Sequence, residues 1–162
     1  MSEPHRRLIE SRSAFHDALR AAFAEAASTG CRELCIVDED FADWPLNDRV
    51  VIEHLTQWAA SHRRFTALAR SFDEVARRHT RWVQWRRQWA HVVHCCTNNE
   101  LEAGAMPTVL LAPGLTSVRL FDRLHHRGVA TNEAADAIQW RDAIDALLQR
   151  SEEGFPATTL GL

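Results

Sequence analysis

The sequence predicts an α/β fold, a single mixed β-sheet flanked by helices, in one domain over residues 1–162. Three observations carry this expectation. Apolar stripes at helical spacing alternate with short continuous apolar runs, and strands separated by helices build parallel sheet. Two apolar runs around Pro113-Gly114 read as a late hairpin, which adds antiparallel strands. At 162 residues, with 46% hydrophobic and 25% charged, the chain is long enough to bury a core of its own.

The elements follow in order. Ser13 is placed to cap a helix running to about Thr29, because Phe15, Leu19 and Phe23 recur every fourth position beside Ala18, Ala22 and Ala26. Gly30 stops it. Leu34-Cys35-Ile36-Val37 is a continuous apolar run, the mark of a central strand covered on both faces. Pro45 and Asp48 introduce a second helix with Val51, Leu55, Trp58 and Ala59 on one side. Phe65 to Ala69 reads as the next strand, and Ser71 with Glu74 fits a capping box for a helix that continues through Trp82, Trp85 and Trp89. Val92 to Cys96, Thr108 to Ala112 and Val118 to Asp122 read as three further strands. The last helix is expected from near Asn132 to about Arg150, with Ile138, Ile144, Leu147 and Leu148 on its inner face. Residues 1–11 and 151–162 are expected to be irregular tails.

Composition excludes several chemistries. All 19 strongly basic residues are arginine and tyrosine is absent, so Schiff bases and P-loop lysines are ruled out. A net charge of −3 argues against a generic nucleic-acid coat. Met1 to Glu10 has Arg6 and Arg7 but no apolar stretch to read as a secretory leader, and no run is long enough to span a membrane. A cytoplasmic location with Cys31, Cys35, Cys95 and Cys96 reduced is the expectation. Nor do the serines (Ser11, Ser13, Ser28, Ser61, Ser71, Ser117, Ser151) have the glycines of a nucleophile elbow.

The element order, with a capped helix before Cys31-Arg32-Glu33-Leu34-Cys35-Ile36-Val37-Asp38, resembles one half of the phospholipase D superfamily. More closely, the chain resembles a group of uncharacterised proteobacterial proteins near that superfamily. The stretches that carry this are Asp38 to Leu46, Trp85 to His91, Gln149 to Pro156 and Thr158 to Leu162. The resemblance implies a homodimer, since the enzyme site of that superfamily lies between two halves. Its catalytic signature is His-x-Lys, four residues, then Asp. A chain without lysine cannot carry it, so the resemblance implies a degenerate site. The nearest spacing match is His125, Arg127 and Asn132, in which asparagine lacks the charge of aspartate.

Three other constellations bear on function. Asp38, Glu39, Asp40 and Asp43 crowd the end of the first apolar strand, where parallel sheets gather ligands. Asp38 and Asp40 are therefore candidate ligand-binding residues, and a helix-capping loop paired with arginines accounts for the same cluster. His91-x-x-His94-Cys95-Cys96 offers two ligands per strand face where zinc needs three or four, so no metal is expected. From Arg77 to His94 there are five arginines, three tryptophans and no acid. Arg81, Arg86 and Arg87 are candidates for phosphate or nucleic-acid binding. An amphipathic helix with its tryptophans inside explains the pattern equally. No cofactor is implied. The function expected is a non-catalytic module acting through its own dimer or an unidentified protein partner. The rivals are phosphate-ligand or nucleic-acid binding by the Arg/Trp segment and a residual phosphodiesterase at His125.

Overall fold

The structure is a computed structural model that describes residues 5–60 and 62–156. Ser61 and the Thr158 to Leu162 stretch that shares the resemblance lie outside the described residues. The elements are β1 (Arg6–Ile9), α1 (Arg12–Thr29), β2 (Glu33–Asp38), α2 (Arg49–Trp58) and β3 (Arg64–Ala69). Then come α3 (Asp73–Arg78), α4 (Thr80–Gln88), β4 (Val93–Thr97), β5 (Thr108–Ala112) and β6 (Thr116–Asp122). Last come β7 (Arg127–Thr131), α5 (Ala134–Gln149) and β8 (Glu152–Glu153).

All strands join one eight-stranded sheet in the order β1-β7-β6-β5-β2-β3-β4-β8. β2, β3 and β4 run parallel, linked by helical crossovers. β5 lies antiparallel on the other side of β2, and β6, β7 and β1 follow it antiparallel. The chain thus leaves β2 in one direction and returns to its other side. β2 is the topological switch point, and the crevice beyond its carboxyl end is where open α/β sheets bind ligands.

Side chains alternate across the sheet and divide the core. Leu34 and Ile36 face a layer made by α1, α2 and α4, in which Phe15, Leu19, Phe23, Leu55, Trp58 and Trp82 are buried. Val37 faces the opposite side, where Ile144 of α5 packs with Leu68, Val109 and Leu111.

Several sequence expectations need correction. The cap of α1 is Ser11, whose hydroxyl accepts from the Ala14 N–H, and not Ser13. Ser71 accepts from the Asp73 N–H, but Glu74 pairs with Arg77 and Arg78 and closes no capping box. The tryptophan helix does not continue from α3. It breaks at His79 (φ −121°, ψ 56°), and Trp89 lies one residue past its end. The expected tails contain strands, β1 and β8, because the edges of the sheet capture them through backbone bonds. β7 was not expected at all. It forms because Gly128 lets β6 and β7 approach closely: a Cβ there would sit 1.9 Å from the Arg119 carbonyl oxygen. Ile138 is 64% exposed, so the inner face of α5 rests on Ile144 with half-buried Leu147 and Leu148.

Leu34 is 1% exposed in the strand that carries both faces of the core. Leu34→Ala is expected to cost about 2–5 kcal/mol in urea unfolding, by leaving a cavity there. A loss under about 1 kcal/mol would show that β2 is not the centre of the core.

Candidate functional site

A cleft of about 340 Å³ opens at the carboxyl end of β2. It is lined by Asp38, Asp43 and Trp44 from β2 and the loop after it, and by Phe15 of α1. Thr108 of β5 and Leu120 of β6 join them, with Arg123, Leu124 and His126 from the β6–β7 turn.

Asp38 ends β2 and is 2% exposed. Its Oδ1 accepts from the Thr108 hydroxyl at 2.5 Å, and its Oδ2 from the Phe41 and Asp40 N–H groups at 2.8 and 3.3 Å. Burial pushes this carboxyl above the ordinary carboxylate value, while Arg123 and the three donors pull it back. Arg123 spans two acids, with Nε 3.5 Å from Asp38 Oδ1 and Nη2 3.6 Å from Asp40 Oδ1.

Asp43 fastens α1 and the β6–β7 turn to its own loop. Its carboxylate takes the Arg12 Nε–H at 2.6 Å and pairs with His126 Nε2, and its carbonyl bonds His16 Nε2 at 2.6 Å. Burial acts to raise Asp43, but the hydrogen bonds from His126 and Arg12 outweigh it and hold the carboxyl below its usual value. Burial likewise lowers His16.

Two of the residues with strained, left-handed backbone stand at this cleft. Phe41 (φ 58°) follows the acids, and His126 (φ 53°) closes the β6–β7 turn. Phe41 is held there by its N–H on Asp38 and by its carbonyl, which accepts from His79 Nε2 at 2.8 Å. The Trp44 indole N–H is buried without an acceptor among the described residues.

The candidates from sequence are distributed differently. Asp38 lines the cleft, Asp40 meets Arg123 beside it, and the acidic loop is dispersed among separate partners, with Glu39 accepting from the Gly104 N–H. His125 lies outside the cleft lining, 65% exposed, and its Nδ1 pairs with Asp122 at 2.9 Å. Arg127 is exposed at the start of β7, and Asn132 follows its far end, accepting from the His5 N–H. An extended strand separates the two.

In the Arg/Trp segment, Trp82 and Trp85 are core residues. Arg86 is 4% exposed and donates to the Val93 and Phe155 carbonyls, which removes it from any solvent-facing set. Arg81 holds Asn47 and lines a groove with Arg49, while Arg87 is exposed outside that groove. Along β4, His94 is exposed and Cys95 buried, and burial pushes the Cys95 thiol up to about 12. Among the described residues no group of three or more His, Cys, Asp or Glu side chains is placed to hold a metal ion. In the same residues no helix is long and apolar enough to cross a membrane.

By sequence the chain matches no protein-family model and no curated protein. Solved structures share its fold. TrmBL2, an archaeal chromatin protein whose structure shows a novel mode of DNA binding, aligns with TM-score 0.64 at 7% identity, over 92% of this chain and 54% of its own. The chain therefore spans about half of that protein. NucT from Helicobacter pylori aligns with TM-score 0.62 at 11% identity, over 94% of this chain and 100% of NucT. Nuc from Salmonella typhimurium, a phospholipase D family member, aligns with TM-score 0.57 at 8% identity, over 94% and 99%. At such identities the likeness is one of fold, and the fold is phospholipase D-like.

The depressed Asp43 carboxyl gives a pH signature. Stability from a carboxylate lowered in the folded state is fully present above the unfolded value of 3.8 and disappears as pH falls through the folded value beneath it. Asp43→Asn is expected to lose stability at neutral pH, by about 1 kcal/mol or less for so exposed a pair. Denaturant melts of both proteins should converge below pH 3.8. An unchanged gap there would show that the ion pairs do not stabilise the loop.

Proposed function

We propose that this chain is a phospholipase D-like module that works without the phosphohistidine reaction and acts as a pair of identical copies. The observation that carries pairing is the β6–β7 turn. Phe121 and Leu124 are 63% and 82% exposed there. The turn is nevertheless fixed: Asp122 bonds the His125 N–H and ring, Arg123 reaches Asp38 and Asp40, and His126 holds Asp43. Large apolar side chains on a pre-ordered turn lose little entropy when a partner covers them. The homodimer implied by the resemblance supports the same reading. Against phosphohistidine chemistry stand the absence of lysine and the scattering of His125, Arg127 and Asn132.

Sedimentation equilibrium should give a particle of twice 18.4 kDa. Phe121→Glu with Leu124→Glu should give a monomer of unchanged circular dichroism. A wild-type monomer at every soluble concentration would sink this reading. Turnover of a chromogenic phosphodiester, with or without divalent metal, should be indistinguishable between wild type and His125→Ala. Activity lost on that substitution would make the chain an enzyme.

A second reading rests on a different place. Arg49 and Arg81 line a groove of about 330 Å³ with Glu53, Thr56, Gln84 and Gln88 between α2 and α4, two cations against one acid. A groove with two arginines can meet a phosphate backbone, and TrmBL2, of which the chain spans about half, is a chromatin protein with a novel mode of DNA binding. DNA affinity that falls steeply with salt, and falls uniformly in Arg49→Glu with Arg81→Glu, is the expected signature. Affinity untouched by that pair of changes would exclude the groove.

A further inference from the structure

One cation in the cleft has donors to spare. Arg20 closes on Asp48 at 2.8 Å and Arg12 on Asp43 at 2.6 Å, both as hydrogen bonds. The Arg123 guanidinium lies no nearer than 3.5 Å to either of its acids, and no hydrogen bond holds it among the described residues. Asp38 accepts from Thr108, Phe41 and Asp40 as well, so Arg123 acts on that carboxyl through charge rather than as its hydrogen-bond donor. Arg123 is held by charge alone and keeps its fork of N–H groups.

We infer that the cleft is a carboxylate-binding site, in which Arg123 grips the acid group of a small ligand whose apolar body lies against Phe15, Trp44, Leu120 and Leu124. The planar guanidinium matches a carboxylate with two parallel hydrogen bonds. The indole of Trp44 forms part of the apolar wall. A volume of about 340 Å³ suits a small organic molecule. Charge decides between carboxylate and phosphate. The guanidinium already faces Asp38 and Asp40, and Asp43 lines the same cleft. A phosphate monoester, with a charge of about −1.5 to −2, meets close to twice the repulsion of a carboxylate there. Asp38 beneath Arg123 balances the guanidinium while the cleft is empty. Every part of the site comes from one chain.

Titration calorimetry with phenylacetate and with hexanoate tests this, beside phenylacetamide, inorganic phosphate and the Arg123→Gln, Arg123→Lys and Arg127→Gln variants. At least one of the two acids should bind wild type and Arg127→Gln alike. Phenylacetamide should bind at least about tenfold more weakly than its acid, Arg123→Gln should lose at least about tenfold in acid affinity, and Arg123→Lys should fall between. In wild type, amide and side-chain NMR shifts on titration should concentrate at Arg123, His126 and Trp44, which tests the site even where a variant fails to fold. Failure of both acids to bind, equal affinity in Arg123→Gln, shifts centred elsewhere, or phosphate binding as tightly as the acids would each overturn the assignment.

Discussion

The buried carboxyl of Asp38 ties together elements that the sheet alone would leave apart. It ends the strand where the sheet order reverses, and its oxygens meet donors from β5 and from the loop toward α2. A carboxyl 2% exposed is tolerated only because those donors replace the water it lost. The same bonds dictate the loop. With the Phe41 N–H turned back onto Asp38, the chain takes a left-handed conformation at a large aromatic residue. The Phe41 carbonyl then receives His79, where α3 gives way to α4. The lowered pKa of His79 and the raised pKa of Asp38 have one cause, since burial disfavours the charged form of each.

The two faces of the sheet are covered unequally, and this shapes what the molecule can do. One carries a thick layer with Phe65, Trp82 and Trp85 in tilted and edge-on contact. The other relies on α5, of which Ile144 alone is fully buried. Rigidity therefore accumulates around β2, β3 and α4. The β6–β7 turn extends from this core and is returned to it by ion pairs and by the His126 ring against Phe15. Its exposed Phe121 and Leu124 sit on a turn held by charge.

Elements that carry their own signal were legible in the sequence. The apolar run of β2 and the four-residue spacing of α1 need no partner to be read, and Pro113-Gly114 announces its turn. β1, β7 and β8 were not legible, because Arg-Arg-Leu-Ile, Arg-Gly-Val-Ala-Thr and Glu-Glu become strands only through the neighbours that pair with them. The cleft divides in the same way. Its acids were visible as a cluster at the end of a strand. Thr108 and His126 were not, since they meet their aspartates across 70 and 83 residues of chain. His125 and His126 illustrate how little adjacency means. A left-handed residue in the turn sends one ring to Asp122 and the other to Asp43.

Arginine is the sole strong base of this chain, so residue type reveals nothing about what each cation does. What separates them is where their donors go. Arg86 is buried without an ion pair among the described residues and spends its donors on carbonyls that bind β4 and Phe155 to α4. A planar, weakly hydrated guanidinium accepts that burial better than an ammonium would. Arg12 and Arg20 spend theirs on carboxylates and become struts between α1 and the loop before α2. Arg123 has two acids in reach and bonds to neither. Its acids fix where the guanidinium stands and leave its fork open, as recognition of a ligand requires and a structural strut does not.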